Sequence, residues 1–189
     1  NYDHDPRIDP SGCDGFELTG AIQPEIDGLR GQYYDEYTLG YERLLGAQHR
    51  GQVRAVYRTL RSILEDGLVT ADQAFVFGNP GRGALEADYP DPVRTYKALE
   101  LSVERRAARF NWLASYTWSE NWGNYTGIYS SDGKAPNPNC AFAFDVPDML
   151  VDGEGRLPND RTHAFKASGF YAFDAGLNVG ASLLWESGA

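Results

Sequence analysis

The chain has 189 residues, enough for one sizeable domain, and hydrophobic residues make up 42% of them. No apolar run reaches the length of about 18 residues that a transmembrane helix needs, although a membrane-spanning β-strand escapes this test because alternate residues can be polar. The net charge of −10 argues against nucleic-acid binding, because there is no basic stripe to displace counterions from phosphates.

The first segment, 1–32, is rich in Asp, Gly and Pro and is predicted to be an acidic loop. Its aspartates lack the spacing of an EF-hand calcium loop. The chain starts in loop-like sequence without a signal peptide, so we expect a processed or excised piece. In an oxidising compartment Cys13 could form a disulfide with Cys140. Two unrelated thiols are the alternative, because sequence cannot place their Cα atoms within bonding distance.

Alternation with a period of two predicts a β-hairpin over 33–61. One face of its first arm carries Tyr37, Leu39, Tyr41 and Arg43, and the opposite face of the hairpin carries Glu36, Glu42, Arg54 and Arg58. Opposite charges on one sheet face are favourable cross-strand neighbours. We therefore expect a charge-compensated wall here rather than a catalytic Glu/Arg site.

Residues 62–93 are predicted to be a long loop. Its sequence GNPGRG lacks the GK[ST] of a phosphate loop. A second hairpin follows over 94–120, and each arm has about ten residues, the length of a tilted membrane-spanning strand. Its apolar face has a cation or an aromatic residue at each end and aliphatic residues between. This hairpin is the clearest sign of a membrane-spanning β-barrel wall.

Residues 121–160 form the third predicted long loop. Its aromatic residues Trp122, Tyr125 and Tyr129 are candidates for a ligand-facing surface, with ordinary loop packing as the alternative. A hydrolase would use a carboxylate pair such as Asp145 and Asp148, but their sequence DVPD has no acid–base context. We expect no enzymatic activity, and we assign no catalytic, cofactor or metal-binding residue.

The third predicted hairpin covers 161–187. The residues of its last strand that would face lipid are Leu177, Val179, Ala181, Leu183 and Trp185. Long and short connections alternate along the whole chain, as in outer-membrane barrels with long extracellular loops and short periplasmic turns. Aromatic residues and long cations fall at both predicted rims, and no charge falls in the middle third of the predicted lipid face.

These strand phrases resemble the barrel repeats of TonB-dependent outer-membrane receptors, closest to the large Oar-like branch. They are DEYTLGYERLL, YKALELSVERR, NWLASYTWSE, GRLPNDRTHAFKASGFYAF and GLNVGASLLWESG. The most specific element is the LPNDR-H-FK phrase followed by GL-VGAS and SG. The resemblance covers most of residues 33–189, and the loops diverge from it.

The resemblance implies an all-β fold: an antiparallel up-and-down meander of about six transmembrane strands within a barrel of about 22 strands. It implies a location in the outer membrane of a Gram-negative type of cell. The implied partners are membrane lipid, the remainder of the barrel and its plug, TonB, and an unknown bulky ligand. All of residues 1–189 would belong to one barrel domain, with extracellular loops at 1–32, 62–93 and 121–160 and hairpins at 33–61, 94–120 and 161–187.

Two other functions stay open at this point. A secreted β-sandwich that binds glycans would suit the Tyr and Trp content and the acidic loops, and it predicts two closed sheets. A passive porin would have the same strands as a gated transporter. The barrel interpretation requires that Leu99, Leu101, Val179 and Ala181 are not covered by a second layer of the same chain.

Overall fold

The computed structural model describes residues 28–69, 74–127 and 147–188. The strands in this part of the chain are β1 Tyr33–Leu44, β2 His49–Arg61, β3 Glu65–Val69, β4 Ala74–Gly78, β5 Arg94–Arg105, β6 Phe110–Gly123, β7 Gly155–Arg156, β8 His163–Ala172 and β9 Asn178–Glu186. The helical elements there are two short 3-10 turns, Gly83–Leu85 and Pro147–Leu150. Within the described ranges, no helix is long and apolar enough to cross a membrane.

The chain divides into two units. The loop unit comprises Asn1–Asp35, Thr59–Arg94 and Trp122–Asn159, and the strand unit comprises Glu36–Arg58, Thr95–Asn121 and Asp160–Ala189. The main sheet follows the order β1-β2-β5-β6-β8-β9, with β7 paired to β6, and β3 and β4 form a separate two-stranded sheet. The predicted all-β antiparallel meander is confirmed.

The register of β6, β8 and β9 places the predicted apolar faces on one side of the sheet. Ala114 pairs with Ala167, and Ala167 pairs in turn with Leu183. One residue along, Ser115 pairs with Lys166. Because side chains alternate between the two sides of a strand, the polar pair lies on the opposite face. The predicted faces of these three strands are confirmed.

The apolar face of the strand unit is open. Leu99, Leu101 and Val179 are 41%, 44% and 54% exposed, and Ala181 is exposed as well. In a β-sandwich these side chains would be buried against a second sheet about 10 Å away. No second layer covers them in the described part of the chain, so the sandwich alternative finds no support there.

The segment 62–93 contains more structure than the sequence predicted. Strands β3 and β4 pair antiparallel from Glu65 opposite Gly78 to Val69 opposite Ala74. A hydrophobic core forms in the loop unit from Leu60, Ile63, Leu85, Tyr89, Tyr125 and Leu150. The two strands are too short to show a clear periodicity, which is why the sequence predicted an irregular loop.

Asn79 joins three backbone segments of the loop unit. Its side chain is nearly buried and donates hydrogen bonds to the carbonyl oxygens of Arg30, Ser62 and Ile63 at 2.8 to 3.2 Å. It also accepts a hydrogen bond from the Arg30 N–H at 2.8 Å. One buried amide thereby satisfies four backbone groups that have no strand partner at these positions.

Gly123 lies where a side chain would collide with the backbone. Its φ is +151°, and an added Cβ would lie 1.9 Å from the carbonyl oxygen of Val93. That oxygen accepts hydrogen bonds from the N–H groups of Asn124 and Tyr125 at 3.0 and 3.3 Å, so it cannot shift without losing them. Its cross-strand partner Gly155 has open space where a Cβ would be.

We predict that Gly123→Ala destabilises the loop unit by about 1–3 kcal/mol, as other overpacked sites do. Gly155→Ala is the matched control and should change stability by less than about 0.5 kcal/mol. The measurement is the rate of limited proteolysis within 62–93 in the full-length protein. Equal rates for the two variants would contradict the close approach described here.

Candidate functional site

Charged residues connect β1, β2 and β5 on the polar face of the strand unit. The ion pairs are Arg58–Glu36 at 2.5 Å, Arg54–Glu100 at 2.5 Å, Arg50–Glu104 at 2.7 Å and Arg50–Glu42 at 3.2 Å. Sequence analysis predicted charge compensation across this face, and the Arg58–Glu36 pair confirms it. It did not predict that Glu42 pairs with Arg50, or that Arg54 reaches the next strand.

These ion pairs affect the charge of the polar face more than they affect the stability of the fold. The paired side chains remain between 18% and 48% exposed. Exposed ion pairs of this kind add little to stability, because solvent screens the two charges. Their main effect is to place three arginines next to four glutamates on neighbouring strands, which compensates most of the charge on this face.

A shallow groove of about 180 Å³ crosses this polar face. It is lined by Gln52, Arg54, Glu100, Leu101, Ser102, Ser115, Thr117 and Lys166. Seven of these eight residues are polar or charged. The groove lies wholly within the strand unit.

The LPNDR phrase forms a hydrogen-bonded turn that precedes β8. Asp160 is buried, and its carboxylate accepts hydrogen bonds from the Asn121 N–H at 2.7 Å and the Thr162 hydroxyl at 3.1 Å. The Ser119 hydroxyl donates to the carbonyl oxygen of Arg161 at 2.9 Å. These contacts fix the start of β8 against the end of β6, so the phrase has a structural role.

Aromatic rings and a cation gather at one end of the apolar face, as predicted for a rim. The guanidinium of Arg105 lies 5.4 Å from the centre of the Phe110 ring. Phe110 and Tyr171 are 6.4 Å apart, and Tyr171 contacts Phe173 edge to face at 4.7 Å. Girdles of aromatic residues at the ends of the apolar band are a feature of membrane-spanning β-barrels.

The aromatic residues that the sequence proposed as ligand-facing differ in their exposure in the structure. Trp122 is 39% exposed and lies opposite Arg156 in the β6–β7 pair. Tyr125 is only 2% exposed, because its ring belongs to the core of the loop unit. Its placement fits the loop-packing alternative and not a ligand-facing role. Tyr129 lies outside the described residues.

Other sequence candidates fall partly outside the described ranges. Cys13, Cys140 and Asp145 lie outside them, and Asp148 is exposed in the 3-10 turn Pro147–Leu150. Among the described residues, no group of three or more His, Cys, Asp or Glu side chains could hold a metal ion. Because neither cysteine is described, the Cys13–Cys140 disulfide stays a prediction.

Tyr125 and Glu65 form a buried polar site that sequence analysis missed. Glu65 is 1% exposed and lies in the same unit as Tyr125. Burial raises the pKa of the Tyr125 hydroxyl, and the negative charge of Glu65 raises it further, while Arg94 opposes this effect. No local motif marks this site, because the two residues are far apart along the chain.

Comparison with known proteins places these features in context. The chain is 32% identical over 164 residues to the TonB-dependent transporter Oar of Myxococcus xanthus. This similarity supports a relationship between the chain and the TonB-dependent transporter family. The match covers 86% of the chain but only 15% of the Oar transporter, so the chain spans a small part of that protein's length. No family model matches the chain, and no solved structure matches it.

The buried phenol predicts an alkaline limit for the loop unit. In the unfolded chain Tyr125 ionises near the ordinary tyrosine pKa of 10.0, whereas in the folded unit the phenol stays neutral at that pH. Stability is therefore fully present below about pH 10 and falls as the pH rises further, by up to about 1.4 kcal/mol per pH unit. We expect limited proteolysis within 62–93 to accelerate above about pH 10.

The Tyr125→Phe variant should lack this part of the pH dependence, because it has no phenol to ionise. Tyr57→Phe is the control, since the Tyr57 side chain is 40% exposed rather than buried. If proteolysis of the Tyr125→Phe and Tyr57→Phe variants rises equally between pH 9 and 11, burial of the phenol does not govern the alkaline limit.

Proposed function

We propose that this chain is a section of the transmembrane β-barrel of a TonB-dependent outer-membrane transporter of the Oar-like branch. The observation that carries the proposal is a single-layer meander with one exposed apolar face and one charged face. Similarity to the Oar transporter over 86% of the chain supports it independently. In the intact protein, the section would help to take a bulky ligand across the outer membrane.

The two faces have the properties that lipid and a water-filled interior require. Large apolar side chains such as Leu99, Val179 and Leu183 are 41–58% exposed on one face, where hydrocarbon would cover them. The arginine–glutamate pairs lie on the opposite face. A charge facing lipid at the bilayer midplane would cost about 2–4 kcal/mol. In a membrane, the sheet would therefore be stable only with its apolar face toward lipid and its charged face toward the barrel interior.

The open edges of the sheet fit a larger barrel. Among the described strands, β1 and β9 each have a single neighbour in the strand order. An exposed strand edge presents unpaired backbone groups, which a membrane does not tolerate. We propose that further strands of the same protein pair with both edges and close a barrel of about 22 strands, the size at which such a barrel holds a plug.

The loops would capture the ligand on the extracellular side. We propose that 1–32, 62–93 and 121–160 face the outside of the cell and that 33–61, 94–120 and 161–187 are the membrane-spanning hairpins. The folded core of the loop unit would hold part of this surface in one conformation. Trp122 is the proposed ligand-contacting aromatic residue among those described, because its ring remains partly exposed. A plug would gate the interior, and TonB would supply the energy.

Cysteine labelling tests the assignment of the two faces. Leu183→Cys and Ser182→Cys lie next to each other on β9 but on opposite faces, and Cys13 and Cys140 are first replaced by Ala. In intact outer membranes, we expect a lipid-phase fluorescent maleimide to label Leu183→Cys and a water-soluble maleimide to label Ser182→Cys. Equal labelling of both positions by the water-soluble reagent would rule out a lipid-facing wall.

Arginine substitution at the same two positions gives an energetic test. Leu183→Arg should destabilise the protein by about 2–4 kcal/mol, because it places a charge in hydrocarbon near the middle of a membrane-spanning strand. Ser182→Arg should have a much smaller effect, since it faces the polar interior. The measurement is the urea midpoint of the full-length protein reconstituted into lipid vesicles. Equal midpoints for the two variants would contradict the proposed orientation.

A further inference from the structure

Two arginines lie on the apolar face at the end of the strand unit that carries the short turns. Arg43 is exposed near the end of β1, and Arg105 is the last residue of β5. The turn between β1 and β2 adjoins the end of β5, because the Arg106 N–H donates a hydrogen bond to the carbonyl oxygen of Gln48 at 2.9 Å. Both cations therefore belong to one rim of the face that we propose to meet lipid.

Neither guanidinium has a carboxylate partner among the described residues. Their acidic neighbours in sequence, Glu42 and Glu104, lie on the opposite face because side chains alternate along a strand. On that face both glutamates pair with Arg50, at 3.2 and 2.7 Å. At the other end of the apolar face, by contrast, Lys97 lies 3.8 Å from Glu120. Within the described strands, the turn end of the apolar face thus carries uncompensated positive charge.

Arg105 is held in position while part of its guanidinium stays available. Its Nε and one terminal nitrogen donate hydrogen bonds to the side-chain oxygen of Gln48 at 3.3 and 3.1 Å. The centre of the Phe110 ring lies 5.4 Å from the guanidinium carbon. The other terminal nitrogen donates to no described residue, so its N–H groups can reach an external acceptor. A cation fixed in this way loses less conformational entropy when it binds a ligand.

The surroundings of the arginines determine which anion fits. Exposed apolar side chains, among them Val103, Phe110 and Tyr171, border this rim. An anion that also covers these side chains must carry apolar chains beside its charge. A phospholipid has both parts, and its phosphate matches the planar donor geometry of a guanidinium. A free phosphate ion would leave the apolar side chains uncovered.

We infer that Arg105 and Arg43 bind the phosphate group of an anionic phospholipid in the periplasmic leaflet of the outer membrane. Arg105 is the main contact, because Gln48 and Phe110 fix its guanidinium, and Arg43 adds a second positive charge at the same rim. An anionic headgroup is favoured over a zwitterionic one, since the ammonium group of the latter would be repelled by the arginines. The inference rests on the proposed function, because it needs the apolar face in a membrane and the short turns on the periplasmic side.

Native mass spectrometry of the delipidated full-length protein in detergent tests this site. The protein is titrated with phosphatidylglycerol, which is anionic, or with phosphatidylcholine, which is zwitterionic, and the Kd of the first bound lipid is measured. We expect phosphatidylglycerol to bind at least about five-fold more tightly than phosphatidylcholine, the effect of about one basic residue at a membrane surface. The Arg105→Gln variant should bind phosphatidylglycerol at least about five-fold more weakly than the unaltered protein and phosphatidylcholine almost unchanged.

Two further variants serve as controls. Lys97→Gln removes a cation from the other end of the same face and should leave the Kd for phosphatidylglycerol unchanged. Arg105→Lys keeps the charge but loses the planar donor geometry, so its Kd should lie between those of Arg105→Gln and the unaltered protein. Heat-dependent gel migration shows whether each variant is folded. The comparison of the two lipids in the unaltered protein needs no substitution, so it decides even if Arg105→Gln does not fold.

Three outcomes would overturn the inference. Equal affinity of the unaltered protein for the two lipids would show that the rim does not recognise an anionic headgroup. Equal weakening in Lys97→Gln and Arg105→Gln would show general charge attraction instead of a site. Displacement of phosphatidylglycerol by inorganic phosphate at millimolar concentration would show a free-anion site. None of these results would alter the labelling of Leu183→Cys and Ser182→Cys, so failure here is distinguishable from failure of the barrel proposal.

Discussion

The two-residue period of the β-strand is the constraint on which the rest of this structure depends. Strand pairing keeps Ala114, Ala167 and Leu183 in one row, and with them every second residue of three strands. A shift of one residue would move all of these side chains to the opposite face. The register therefore decides at once where apolar residues are exposed, where ion pairs form and where the polar groove lies.

The loop unit depends on a different kind of interaction. Its core draws residues from two segments of the chain, Thr59–Arg94 and Trp122–Asn159, and the buried amide of Asn79 joins backbone segments that have no strand pairing there. In the proposed transporter, this order would have a functional consequence. A folded unit presents residues such as Trp122 in a fixed position, and pre-organised surfaces lose less conformational entropy when they bind a ligand.

Sequence patterns predicted the main sheet well because its strands are long and strongly periodic. The alternation in β5, β6, β8 and β9 identified both the strands and their faces. The sequence failed on β3 and β4, which have five residues each and show no usable period. For Tyr125 it left ligand contact and loop packing both open, because an aromatic residue in a loop has the same local signature whether it packs in a core or contacts a ligand.

The sequence by itself determined the all-β class, the meander of hairpins, the division into apolar and polar faces, and the resemblance to TonB-dependent receptors. All of these follow from local alternation or from contiguous phrases. Only the tertiary structure decided which glutamate pairs with which arginine, that Tyr125 and Glu65 are buried in one unit, and that Lys166 and three hydroxyls share a groove. Those facts depend on contacts between residues distant in the chain, which no local period encodes.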